Sequence, residues 1–444
     1  MLIFISDLHF VDGSAGEHNI PWRAFDYFFD DLIDIANRPS NKSKIKEIKL
    51  VLLGDIFDLL RTEEWVEPIL EDQRPWGSMD QEIEKNALTI LNKIADHKNE
   101  AKGVDNAKIL ELIRTRLPEL KNECKLDYSP RLEYIPGNHD RLVNKPEYTK
   151  LRTRVRECLG LVTPKDQLFP RLVFEKDYGV LARHGHEFDQ YNYEGGSSFT
   201  EDDYQKVPIG DPITTELIAR LPYELANQLR NTTLPPAEQA RIIENFQEIE
   251  NVRPFSAVIE WLVYQVQQTG QLKEIIEDTV DTVITRFNEL NFVKAWYKRH
   301  DKWLDPFDEA DKIQAVLFLL EKFKIFPMEK LLSLAIKAKD WFYKDDLLEA
   351  VPDEFFFDSR LRYLVHGHTH DPLVMPIRTV LSSTAPLEQV YLNTGTWRGR
   401  YTKGTRDSSF VSWKNMTYVI FYTAEERGLD SPVFETWTGT LKTV

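Results

Sequence analysis

Met1-Leu2-Ile3-Phe4-Ile5-Ser6-Asp7-Leu8-His9 opens the chain with an apolar run that stops at two side chains able to bind a metal. The run is too short for a helix and fits a strand buried on both faces. The same order, buried strand and then polar cluster, recurs along the chain. Leu50-Val51-Leu52-Leu53 leads into Gly54-Asp55-Ile56-Phe57-Asp58, and Leu132-Glu133-Tyr134-Ile135 leads through Pro136 to Gly137-Asn138-His139-Asp140. A strand at 179–182 precedes His184-Gly185-His186, and one at 361–365 precedes Gly367-His368-Thr369-His370. Between the early strands the apolar spacing turns helical, over 22–36, 80–99, 105–123 and 146–161. Such alternation predicts an α/β sandwich rather than an all-α or all-β fold. In open α/β sheets ligands bind at the carboxyl ends of the strands, so the five clusters should converge on one site.

A chain of 444 residues calls for two or three structural units. From about 212 to 345 no strand pattern is visible. Helical patches follow one another at 213–230, 235–250, 254–268, 271–300, 308–323 and 327–343, punctuated by Pro235-Pro236, Pro254, Pro306 and Pro327. Strands resume at 361–365 and 390–392. Those at 410–413 and 418–422 flank Lys414-Asn415-Met416 like a hairpin, and 433–440 gives the last. The expected organisation is an α/β domain in two parts, 1–205 and 351–444, around a helical insertion at 206–350. Both ends of the insertion return close to the clusters, which suits a cap over the substrate or a dimerisation module. Its aromatics (Trp261, Tyr264, Phe287, Trp296, Trp303, Phe318, Phe323) fall at helical spacing and read as core rather than as a base-stacking platform.

Lys and Arg number 56 against 72 Asp and Glu, a net charge of −16. That balance argues against a broad grip on nucleic acid or an anionic membrane, and leaves room for a local phosphate pocket. The two cysteines, Cys124 and Cys158, build no disulfide framework and point to a reducing compartment. No basic leader or cleavage site is visible, and no apolar stretch approaches the ~20 residues of a membrane span. The expectation is a cytoplasmic protein without a span.

Of the ten histidines, seven lie in or beside the clusters, which favours ligation over random surface use. Asp and Asn oxygens with His nitrogens fit Mn²⁺, Fe or Zn²⁺ better than Ca²⁺. In Asp7-Leu8-His9 on an extended segment both side chains point the same way and can chelate one ion. A single carboxylate, Asp55, can bridge two ions that share a water.

Together, Asp7-x-His9, Gly54-Asp55-x-x-Asp58, Gly137-Asn138-His139-Asp140, His184-Gly185-His186 and Gly367-His368-x-His370 resemble, in order, the motif set of the calcineurin-like metallophosphoesterase superfamily. The resemblance covers mainly 1–190 and 360–400 and leaves out the insertion. It implies a two-sheet αββα sandwich and a hydrolase cleaving a phosphate mono- or diester by attack of a metal-bridging hydroxide. It assigns Asp7, His9, Asp55 and His370 to one metal and Asp55, Asn138, His184 and His368 to the other, with Mn²⁺ favoured. His139 is implied as the general acid, steadied by Asp58, and Asn393-Thr394-Gly395-Thr396-Trp397 should pack near the site. His186 is the alternative to His184, and His366 reads as structural. Arg61 and Arg141 are candidate phosphate contacts, with surface salt bridges as the alternative. Arg398, Arg400, Lys403 and Arg406 read as a solvated loop. The expected partner is a small phosphoester. Alternatives are a nuclease like the superfamily's DNA-repair exonucleases, which the net charge disfavours, and a non-catalytic scaffold with a relict site. A homodimer through the insertion is the alternative to a cap.

Overall fold

Leu2–Ile5 (β1) is buried throughout, as its uninterrupted apolar run requires. The structure, a computed structural model, describes residues 1–444 except 39–44, 67–68, 163, 165, 254–256, 270–271, 301–350, 352, 382–385, 407–408, 430 and 441–444. After β1 come Arg23–Asn37 (α1), Lys49–Leu53 (β2), Asp80–Asp96 (α2), Asn106–Glu123 (α3), Arg131–Ile135 (β3), Thr149–Leu159 (α4), Val173–Glu175 (β4) and Val180–Ala182 (β5). Longer helices then follow: Arg220–Leu229 (α5), Pro236–Gln247 (α6), Val258–Thr269 (α7), Lys273–Glu289 (α8) and Asn291–His300 (α9). The chain closes with Tyr363–His366 (β6), Leu373–Val380 (β7), Leu387–Asn393 (β8), Gly399–Lys403 (β9), Phe410–Tyr422 (β10) and Val433–Thr440 (β11).

The protein is a mixed α/β structure with two large sheets. One runs β9-β10-β1-β2-β3, with β11 on β10, and the other β4-β5-β6-β8-β7. β1, β2 and β3 are mutually parallel, as are β5, β6 and β8. Alternation along each strand divides its side chains between two faces. Leu2, Phe4, Val51 and Leu53 share one core with Val180, Ala182, Val365 and Leu392 of the other sheet. Ile3, Ile5, Leu50 and Leu52 face the opposite way, onto Phe28, Leu32, Ile90, Ile113 and Leu151 of α1–α4. Helices α5–α9 build a separate core around Leu225, Phe246, Trp261, Val280, Phe287 and Trp296, against which Tyr401 and Phe410 of the first sheet pack.

Three expectations change. The hairpin at 410–422 is one 13-residue strand. Its first part pairs with β9 and the remainder with β11, so it changes partner where the polar residues suggested a turn. The helix expected at 271–300 is two, broken at Leu290, because Glu71 takes the backbone N–H groups of Asn291 and Phe292 at 3.1 and 2.9 Å. Strands β7 and β9 were not anticipated. The patches at 308–323 and 327–343, Pro254, Pro306 and Pro327, and Trp303, Phe318 and Phe323 lie outside the described residues.

Candidate metal centre

The loops leaving β1, β2 and β6 carry unusual backbone. Asp7, His9, Asp55, His368 and His370 have φ of 52, 46, 52, 67 and 64°, five of the eight non-glycine residues with positive φ among those described. Such conformations cost about 1–3 kcal/mol each and persist only where the surroundings impose them. Here Asp7 N donates to Gly54 O at 3.0 Å and His9 N to Asp55 O at 2.8 Å. His368 N donates to the Asp7 carboxylate at 3.0 and 3.1 Å, and His139 N to Asp55 Oδ1 at 2.8 Å. The segment after β8 braces the same turns: Thr394 Oγ1 meets Ser6 Oγ at 2.5 Å, and Thr396 Oγ1 donates to Asp7 O at 2.5 Å.

These loops bring two carboxylate–histidine triads side by side, Asp7 with His9 and His370, and Asp55 with His184 and His368; each could hold a metal ion. His370 Nε2 lies 3.4 Å from Asp7 Oδ1 and 3.0 Å from His9 Nε2. His184 Nε2 lies 3.1 Å and His9 Nε2 3.6 Å from Asp55 Oδ2, which places Asp55 between the triads. Asn138 stands beside the second; its Nδ2 donates to Asn192 Oδ1 at 3.2 Å. Among the described residues, the buried Asn138 Oδ1 has no hydrogen-bond partner, and His184 Nε2 has only its approach to Asp55 Oδ2. Buried lone pairs without a donor are costly, and a cation satisfies them, so the donor set fits divalent metal. Burial opposes charge on Asp55, yet His184 and His139 hold its carboxyl well below the usual range.

The ring nitrogens turned away from the centre are also held, as ligating histidines require. His184 Nδ1 bonds Leu53 O at 2.8 Å, His9 Nδ1 bonds Asp58 Oδ2 at 3.1 Å, and His368 Nε2 bonds Asp189 Oδ2 at 2.9 Å. His370 differs: Arg253 Nη2 lies 2.6 Å from its Nδ1. A guanidinium only donates, so Nδ1 accepts and the ring proton sits on Nε2.

Asp58 also binds His139, Oδ1 to Nδ1 at 2.9 Å. Burial lowers the affinity of that ring for its proton, but the charges of Asp58 and Asp55 outweigh it and raise the pKa to about 10. His139 Nε2 faces Glu250 Oε1 at 3.9 Å. His186 is not in either triad. Its ring packs on Tyr193 and Tyr204, and burial pushes its pKa down to about 3. His366 stacks on Phe188 with ring centroids 5.4 Å apart.

Arg141 is held by the buried Asp211, with Nε at 3.0 Å from Oδ2. Arg61 is fully buried; Nη2 donates to Gln247 O at 2.6 Å and Nη1 lies 3.0 Å from Glu250 Oε2. Of the basic stretch only Arg406 lies exposed in a bend. Arg398 is buried against Glu250 and Asn251, at 3.0 and 2.7 Å, and Arg400 and Lys403 lie on β9. The sequence reading missed Asp189, Glu250 and Arg253. Only Asp189 left a signal, three residues past His186.

No family model and no curated protein matches this chain. Among the described residues, no helix is long and apolar enough to cross a membrane.

Proposed function

We propose that the protein is a dinuclear metal-dependent phosphoesterase of the calcineurin-like kind. Its two sheets are then that family's sandwich, and its substrate is a small phosphoester met in the cytoplasm. The observation that carries the reading is the pair of adjacent triads, Asp7/His9/His370 and Asp55/His184/His368, with the His139–Asp58 pair at their side. Asp7, His9, Asp55 and His370 hold one divalent ion, and Asp55, Asn138, His184 and His368 the other, Mn²⁺ before Fe or Zn²⁺. Such ions supply Lewis acidity toward a phosphoryl group and lower the pKa of water. His139, oriented through Nδ1 by Asp58, gives the proton on Nε2 to the leaving oxygen. The segment 249–253, within the expected insertion, brings Glu250 to His139 and Arg253 to His370.

The test is hydrolysis of a panel of phosphate mono- and diesters after chelation and after Mn²⁺ is restored. Activity should vanish and return. His139→Asn should lower kcat by about 10²–10⁴-fold on alkyl esters and less on aryl esters, whose leaving groups need no proton. Hydrolysis that persists with no metal bound by elemental analysis overturns the reading.

A further inference from the structure

Arg61 and Arg398 are both buried, with exposures of 0% and 1%. Among the described residues, Glu250 is the only carboxylate within ion-pair distance of either, its Oε2 standing 3.0 Å from Arg61 Nη1 and 3.0 Å from Arg398 Nη2. Two guanidiniums thus share one carboxylate. Their donors are also in excess: among the described residues, Arg61 Nε and Arg398 Nε and Nη1 are buried without a hydrogen-bond partner, and Arg61 Nη1 meets only the Glu250 carboxylate. Water-excluded guanidinium donors are costly to leave unmatched.

The place is built rather than incidental. Gly16 lies against the Arg61 guanidinium so closely that a Cβ there would stand 1.9 Å from Nη2. Arg61 N donates to Asp58 Oδ1 at 3.0 Å, which ties it to the carboxylate that orients His139. Glu250 Oε1 is 3.9 Å from His139 Nε2, the atom assigned to protonate the leaving oxygen. The chain around Glu250 is anchored on both sides, by Arg253 N on Tyr401 O at 2.9 Å and by the Gln247 side chain, Nε2 on Ser14 O at 2.9 Å. Only the Glu250 side chain has to turn for its carboxylate to leave.

From this arrangement we infer that Arg61 and Arg398 form an anion subsite on the leaving-group side of the centre, which the Glu250 carboxylate fills until substrate displaces it. The inference rests on the phosphoesterase reading and narrows it: the preferred substrate is an ester whose leaving group carries its own phosphate or carboxylate. Both products are then anionic. The paired guanidiniums match such a group through forked contacts.

Sulfate is the probe, titrated calorimetrically into the full-length Mn²⁺-loaded chain. Glu250→Gln keeps the shape and removes the competing charge, and should bind sulfate about tenfold more tightly than the wild type. Adding Arg398→Gln to that variant should abolish the gain. Should Glu250→Gln melt early, sulfate must raise its melting temperature more than it raises that of the wild type. An unchanged affinity, a gain that survives Arg398→Gln, or a melting temperature indifferent to sulfate overturns the subsite. In the kinetic arm, carboxyphenyl phosphate should be preferred over phenyl phosphate by kcat/KM, and Arg398→Gln should reduce that preference at least fivefold. Absence of all hydrolysis defeats the phosphoesterase reading alone, because sulfate binding is read without turnover.

Discussion

Two walls meet over His139, and they hold their functional groups by different physics. The strand-end wall uses short side chains on strained turns. Asp7, His9, Asp55, His368 and His370 sit at positive φ, pinned by backbone N–H groups that bond neighbouring carboxylates. The wall from the helices uses long arms. Glu250 and Arg253 reach the centre from 249–253 and are fixed by ion pairs and hydrogen bonds at their tips. Short side chains on over-determined backbone place an atom within tenths of an ångström and cannot relocate it. Long arms can rotate away while the fold stays intact. The proposed metal binding calls for the first property and the proposed exchange with substrate for the second.

The largest expected effect tests the rigid wall. A Cβ on Gly137 would lie 2.2 Å from Asp55 Oδ1 and 2.7 Å from His184 Nε2. Neither group has room to yield, so Gly137→Ala should displace two members of the second triad, Asp55 and His184, the first of which stands between the two triads. A misplacement of this size costs on the order of 10²-fold in rate. Elemental analysis should find metal lost from the folded protein. A Gly137→Ala chain with full metal content and full activity would show that this wall adjusts as freely as the other.

Where the walls join, charge carries the load. Arg141, in the turn after β3, pairs with Asp211, and both are buried. Removing one partner leaves an uncompensated buried charge, worth about 3–5 kcal/mol. Arg141→Met should therefore lower stability to urea by that amount, while Arg141→Met with Asp211→Leu recovers much of it. A single variant as stable as the wild type would mean that the join does not depend on this pair.

A subtler prediction concerns the tip of a long arm. A metal on His370 Nε2 requires the proton on Nδ1, where Arg253 now donates at 2.6 Å. Arg253 and metal therefore compete for the tautomer of one ring. Glutamine at 253 can accept from Nδ1 through its amide oxygen, so Arg253→Gln should tighten binding of the first ion by about 10-fold, the low end of effects from groups behind a ligand. A competition titration with a metal indicator reads this without turnover. Weaker binding would show that Arg253 supports the ligand set.

The rigid wall was legible in the sequence because it is written locally. Each candidate ligand stands within a few residues of a buried strand's end, and the pattern repeats five times between Asp7 and His370. The flexible wall has no such signature. Glu250 follows a helix in a stretch whose charges look like a solvated face, and Arg253 meets His370 across 117 residues. Strand β9 was concealed for a related reason, since its Arg400 and Lys403 suggested solvent where the structure pairs them with Asp371 and Glu260. Strand β7 lies at a sheet edge, exposed or half-buried along its length and containing Pro376, so neither alternation nor a pure apolar run announces it.

The smallest effect lies in the loop that touches both walls. Gly16 lies against Arg61, Asn19 Nδ2 donates to Glu248 Oε1 at 3.2 Å, and between them Glu17 Oε2 meets His97 Nε2 at 2.9 Å. Burial pushes the Glu17 carboxyl up, but the bond and charge of His97, the charge of His18 and the Asn99 amide outweigh it and hold the pKa at about 2. A carboxyl depressed in the folded state stabilises above its unfolded value, near 4.5, and that stability drains away as pH falls toward 2. His97 is raised by the same contact, net of its burial, so its share is complete below 6.5 and is lost as pH rises through the folded value. The pair is therefore worth most between these limits. Between pH 4.5 and 3.5 the Glu17 share should fall by about 1 kcal/mol. Glu17→Gln should flatten the melting temperature over that interval relative to the wild type. An equal slope in both proteins would mean that the loop is held by its packing on Arg61 and Glu248, so that the strand-end wall's grip on the helices does not pass through this ion pair.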